Sequence, residues 1–230
     1  MKLLGMIGGT GPESTIDYYR LLIRVYNEQK PDSGQLPVVI NSVDGSKVMD
    51  LINANDLPGT VSFLLMELQR MQKAGVTLSI LTSNMLHLVF DDLQRVSPIP
   101  LISIVETTCQ AAQAMKLKRV GLIGTRPTMQ GGFYQSAFER AGIEVVTPGS
   151  AERDYLHSKY FSELVKGIFL AETRDRFVHI AEQLRLMEGI EGLVLGGTEI
   201  PLLLREVSNL TMPLLDTTQL HVERVVSELL

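Results

Sequence analysis

Two polar stretches sit where short apolar runs end. Ser83-Asn84 follows the run 78–82, and Thr198-Glu199 follows the run 192–195 across Gly196-Gly197. If both runs are strands of a parallel sheet, these positions are carboxyl ends, the place where such sheets bind ligands. Hydroxyls, an amide and a carboxylate there suit a small polar molecule. The competing reading is that these residues only cap the helices that follow. Ser83 is a weak nucleophile or base unless a neighbour takes its proton. His87 lies one helical turn further on, within reach. As a lone imidazole among Leu86, Leu88 and Val89 it reads equally well as structural, and no acid is spaced to complete a triad.

A third candidate is the loop Gly8-Gly9-Thr10-Gly11-Pro12-Glu13-Ser14 between a predicted strand and a predicted helix. It has the outline of a dinucleotide-binding turn. The fingerprint's third small residue is replaced by Ser14, however, and the next useful acid, Asp44, lies too far along. A small-anion loop and a plain turn remain open. His157, His179 and His221 make no metal-ligand spacing with any carboxylate, so no metal site is expected. Cys109 is the only cysteine, which excludes an internal disulfide and a cysteine-based metal centre. It sits in a helix-like stretch, 107–115, as a small buried hydrophobe.

The 230 residues carry a net charge of −5 with 45% hydrophobic side chains, enough apolar material for a packed core and no basic stripe for nucleic acid. No apolar run reaches membrane-spanning length. A lone thiol and no charged leader segment point to a reducing, cytoplasmic setting.

The elements that must position these groups alternate between strand and helix, the pattern of an α/β protein with mainly parallel sheets. Strands are expected at 3–7, 38–43, 78–82, 100–104, 120–123, 145–147 and 192–195. Helices are expected at 14–29, 57–74, 86–95, 131–141, 151–168, 172–187 and 220–229. The chain also resembles itself. Leu4-Gly5-Met6-Ile7-Gly8 matches Val120-Gly121-Leu122-Ile123-Gly124, Leu81 to Asn84 matches Leu195 to Thr198, and Ile99 to Ile102 matches Met212 to Leu215, at offsets of 116, 114 and 113. Three ordered matches at nearly one offset indicate an internal duplication. The expected layout is one lobe from 1–105 plus 212–230, a second from 106–211, and a ligand cleft between them.

Several stretches together resemble the aspartate/glutamate racemase family, whose members act without pyridoxal phosphate. They are Gly5 to Thr15 with Tyr18-Tyr19, Asn41-Ser42-Val43-Asp44, Thr82 to His87, Gly124 to Met129 with Phe133-Tyr134, and Leu195 to Leu203. The resemblance implies two pseudo-symmetric flavodoxin-like lobes, a homodimer, no cofactor, and a small amino acid or dicarboxylate as substrate. Two groups on opposite faces of the substrate would exchange its α-proton. Thr10, Asn84, Met85, Thr125, Thr128, Thr198 and Glu199 match positions lining the family's cleft. Lys166 stands where some members pair with the substrate's side-chain carboxylate.

The departures fall on the chemistry. The family's two thiols are replaced, the first by Ser83 and the second by Gly197. A thiol is readily poised as a thiolate, a serine hydroxyl is not, and glycine has nothing to offer a proton. Water, Glu199 or His87 would have to stand in on the second face. The expected activity is therefore amino-acid racemisation, with Ser83, the Gly197 position and His87 as the catalytic places. The alternative is an impaired homologue that binds an amino acid or dicarboxylate without turnover. A decarboxylase or isomerase needing one proton donor is a weaker third reading. Restoring both thiols, Ser83→Cys with Gly197→Cys, is expected to raise exchange.

Overall fold

The computed structural model describes residues 2–31, 34–204 and 210–230. The chain divides into two compact units, Met1–Ser103 with His221–Leu230, and Ile104–Leu220.

The first unit runs β1 (Leu4–Gly8), α1 (Pro12–Gln29), β2 (Val38–Ser42), α2 (Gly45–Asn53), α3 (Leu57–Lys73), β3 (Leu78–Leu81), a 3-10 segment Met85–Val89, α4 (Phe90–Val96) and β4 (Leu101–Ile102). All its strand pairs are parallel, in the order β2-β1-β3-β4. β1 and β3 are buried at every residue, which is why both read as unbroken apolar runs. β2 lies at the edge and is only partly covered. The core gathers Ile7, Leu64, Leu68, Leu81, Leu86 and Phe90, among others, from strands and helices alike.

The second unit contains α5 (Ile104–Ala114), β5 (Arg119–Gly124), α6 (Arg126–Gln130), α7 (Phe133–Arg140), β6 (Glu144–Val146) and α8 (Ser150–Ser162). It continues with a 3-10 segment Leu164–Lys166, α9 (Ala171–Glu188), β7 (Gly192–Gly196), α10 (Ile200–Leu204), β8 (Leu214–Asp216) and α11 (Thr217–Leu229), whose later part, from His221, groups with the first unit. Its sheet order is β6-β5-β7-β8, again all parallel. Strand for strand this repeats the first sheet, as the internal offsets predict.

The duplication extends to single atoms. A Cβ on Gly5 would come within 2.5 Å of Met71 Cε, and one on Gly121, 116 residues later, within 2.6 Å of Ile190 Cδ1. Both strands pass close under a helix-and-turn segment, and only the absent side chain allows it.

The boundaries differ from expectation in particular places. Residues 212–220 were expected with the first lobe, but Leu214–Asp216 pairs with β7 and completes the second ladder, so this strand belongs to the second unit. Asp216 Oδ1 then accepts from the backbone N–H groups of Thr218 and Gln219 at 3.0 Å each, starting α11 in place. α2 was not foreseen; Asp44 caps it by accepting from the N–H groups of Ser46 and Lys47. The helix expected at 86–95 is split into a 3-10 turn and α4, and the long one at 151–168 ends at Ser162. No helix among the described residues is long and apolar enough to cross a membrane.

Candidate functional site

In the first unit, the loops after β1 and β3 are tied together. Ser14 Oγ donates to the Thr82 carbonyl at 3.1 Å, and Thr82 Oγ1 donates to the Ile7 carbonyl at 3.1 Å. The β1 loop turns at Gly9, whose φ is +93° and whose missing Cβ would otherwise lie 2.3 Å from the Val43 carbonyl oxygen. Both the handedness and the close approach demand glycine there. Gly9 N–H donates to Thr15 Oγ1 at 2.9 Å, so the loop is stabilised by its own helix. Thr10 follows, half-buried, ahead of α1.

Ser83, Asn84 and His87 are all buried at the end of β3. The one-turn spacing does bring Ser83 and His87 together, through the backbone: His87 Nδ1 lies 3.1 Å from the Ser83 carbonyl oxygen. A carbonyl only accepts, so Nδ1 carries the proton and Nε2 is left as the basic nitrogen. The ring stacks on Phe90, centroids 4.7 Å apart and planes within 8°. Burial pushes its pKa down to about 4, which keeps the imidazole neutral at pH 7. His87 thus fixes the backbone that presents Ser83. Met85, expected to line the substrate site, packs into the core of the first unit beside Leu81 and Leu86.

Sequence reasoning missed a second buried imidazole in the same unit. His221 Nδ1 accepts from the Tyr18 hydroxyl at 2.9 Å, and Nε2 donates to the Ile102 carbonyl at 3.1 Å. Its pKa falls to about 3, first through burial and then through the proximity of His87. Nothing local marks His221, because its partners lie 203 and 119 residues away.

The second unit repeats the frame with different side chains. Thr125 caps α6, its Oγ1 accepting from Thr128 N–H at 3.4 Å and lying 2.9 Å from Thr128 Oγ1. Gly124 packs so closely on β7 that a Cβ would meet the Gly196 carbonyl oxygen at 2.5 Å. After β7 come Gly197, Thr198 and Glu199, all buried. Glu199 Oε2 accepts from Thr198 Oγ1 at 3.0 Å and also from the hydroxyl of Tyr160 on α8. Tyr160 is the residue that sequence reasoning missed here: it reads as one more aromatic on an amphipathic helix, 37 positions before Gly197. Its ring fills the space beside that glycine. A Cβ on Gly197 would lie 2.5 Å from Tyr160 Cε2 and 3.2 Å from Cζ. Burial first, and then the Glu199 charge, push the Tyr160 pKa well above its ordinary value. A thiol introduced at 197 alone would therefore collide with an aromatic ring, so the expected gain from restoring both thiols requires Tyr160 to be trimmed as well.

Lys166 is exposed at the end of the 3-10 segment that follows α8. Cys109 is buried in α5, with its sulfur 3.7 Å from the Ala137 carbonyl oxygen and its pKa raised by burial. Among the described residues no group of three or more His, Cys, Asp or Glu is set to hold a metal ion.

Known proteins share this fold. A Yersinia pestis protein provisionally named as an Asp/Glu racemase is 30% identical, with 99% of each chain covered and a TM-score of 0.88. An aspartate racemase homologue from Pyrococcus horikoshii is 32% identical over 100% of this chain and 99% of its own, with a TM-score of 0.83. The glutamate racemase of Aquifex aeolicus is 34% identical over 122 residues, which is 52% of this chain and 44% of that protein. The family model described as Asp/Glu/Hydantoin racemase matches residues 7–225. With its two four-stranded parallel sheets and its polar loops at the ends of β3 and β7, the chain belongs to the Asp/Glu/Hydantoin racemase family.

Proposed function

We propose that this protein racemises a small amino acid, aspartate or glutamate foremost, by removing and returning the α-proton without a cofactor. The observation that carries the reading is the matched pair of loops. In each unit the third strand of the repeat ends in buried polar residues, Ser83-Asn84 after β3 and Thr198-Glu199 after β7. Racemisation requires proton chemistry at two faces of one carbon, and a duplicated fold with one polar loop per half suits that requirement. The names of relatives such as the Aquifex glutamate racemase point the same way.

In this reading Ser83 works on one face, its backbone fixed by His87. The hydroxyls of Thr10, Thr125, Thr128 and Thr198 and the amide of Asn84 supply donors to the substrate carboxylates, and Lys166 serves the side-chain carboxylate. Charge-assisted hydrogen bonds of this kind are the stronger ones, and they also hold the α-carbon's proton in line for transfer. A homodimer and a cytoplasmic location belong to the same proposal.

The test is incubation of the purified protein with each enantiomer of aspartate and glutamate in D₂O, following the α-proton signal by NMR. Loss of that signal at enzymatic rates, with appearance of the opposite enantiomer, is expected. Saturable binding without any loss would leave an impaired, ligand-holding homologue instead. Neither binding nor exchange with any amino acid would contradict the proposal outright.

A further inference from the structure

The racemase reading leaves the β7 loop without a side chain where the family places its second thiol. Gly197 can neither take nor give a proton. The volume that a side chain at 197 would need is nonetheless filled, by the ring of Tyr160, whose Cε2 would stand 2.5 Å from a Cβ there. The phenol is not idle: its hydroxyl donates to Glu199 Oε2, which also accepts from Thr198 Oγ1 at 3.0 Å. The glycine at 197 therefore leaves room for the tyrosine ring from α8.

We infer that Tyr160 and Glu199 together form the second proton station of this protein, with Tyr160 as the group that meets the substrate and Glu199 as the store. The inference rests on the racemase reading. When the α-proton leaves on this side, the Cα–H bond breaks and its electron pair stays on the carbanion. The proton bonds to the Tyr160 oxygen while the proton already there passes to Glu199 Oε2. Tyr160 ends neutral and Glu199 ends as the acid. In the opposite direction Glu199 returns its proton to the Tyr160 oxygen, and Tyr160 gives its own to the carbanion. No phenolate appears at any point. This suits a phenol buried beside a carboxylate, where ionisation is strongly opposed. A simple acid role for Tyr160 would leave two adjacent negative oxygens in a buried site; the relay avoids that.

Tyr160→Phe keeps the ring against Gly197 and removes only the hydroxyl, and Glu199→Gln removes the store while keeping its shape. Exchange of the α-proton in D₂O is measured for the unchanged protein and both variants, with thermal melting and substrate affinity alongside. From one enantiomer of aspartate, the same in both variants, exchange is expected to fall by about 10²–10⁴-fold, the usual contribution of one positioned acid–base group, with affinity changed far less. Exchange in Tyr160→Phe within threefold of the unchanged protein from both enantiomers would overturn the relay while leaving the racemase reading intact. No exchange in the unchanged protein would remove both. Should Tyr160→Phe fail to fold, Glu199→Gln decides: a large loss supports the relay, and full exchange ends it.

Discussion

The two units share a frame and differ in what hangs from it. Each sheet has its first strand in the interior, its second at the edge, and its third and fourth completing the other side. Each buries a glycine of its first strand beneath the same helix-and-turn segment. The loops that end β3 and β7 nevertheless use opposite chemistries. The first presents a hydroxyl on Ser83 and is fixed by the neutral imidazole of His87 against the Ser83 carbonyl, while a second neutral imidazole, His221, lies between Tyr18 and Ile102 in the same unit. The second presents no side chain at the matching place and turns to a phenol and a carboxylate, Tyr160 and Glu199. Packing constrains strand order and glycine positions, because a methyl group in the wrong place collides with backbone or core. Loop side chains take no part in the strand ladders and vary more readily, so a duplicated protein can assign its halves different roles.

This contrast can be broken at its strongest point first. Ser83→Ala removes the only side chain that the β3 loop offers at the position of the first thiol, and its racemisation rate is expected to fall by about 10²–10⁴-fold. Chiral chromatography of aspartate after incubation reads the effect. A fall smaller than threefold would mean that the first half contributes no proton chemistry through Ser83.

The next effect is on stability in acid, and it belongs to the first unit. His87 has an ordinary pKa of 6.5, lowered to about 4 when folded, and that of His221 is lowered to about 3. Because the folded values lie below the unfolded ones, the unfolded chain binds protons more readily. The contribution is fully present above pH 6.5 and is lost as pH falls toward 4 and then 3. For His87 the whole span amounts to about 3 kcal/mol. Urea unfolding between pH 7 and 4 should show a steep decline that is shallower in His87→Gln. An unchanged slope would show that these rings do not drive acid lability.

The second unit supplies the next two effects. Gly197→Cys places a side chain against Tyr160 and is expected to cost about 1–3 kcal/mol, the usual penalty of overpacking. Combining it with Tyr160→Leu should recover part of that loss, whereas an additive cost would show that the ring and the glycine are not coupled. Smallest is Thr125→Ala, which removes the cap of α6 and is expected to cost about 1 kcal/mol. Both are read by chemical denaturation.

Much of the frame was legible from residues alone. Buried parallel strands read as apolar runs, and the offsets between Leu4 and Val120, Leu81 and Leu195, and Ile99 and Met212 describe two sheets of the same order. The stretch in the last of those matches was expected in the first lobe, whereas Leu214–Asp216 pairs with β7 in the second sheet. Ser83 and His87 were paired by their spacing, but the contact reaches the backbone carbonyl, which spacing alone does not distinguish from the hydroxyl. His221 and Tyr160 were not legible as site residues. Their partners lie far along the chain, and a histidine or tyrosine on an amphipathic helix carries no local sign of what it will touch. Gly197 was the one available hint, since a missing side chain at a functional position leaves room that something else must fill.

The most direct test of two unlike proton stations is α-deuterium exchange measured separately from L- and D-aspartate in Ser83→Ala and Tyr160→Phe. Each station should abstract from one enantiomer, so the variants should lose opposite enantiomers, one retaining exchange where the other has lost it. Loss of the same enantiomer in both variants, or of neither, would contradict the division of labour between the halves.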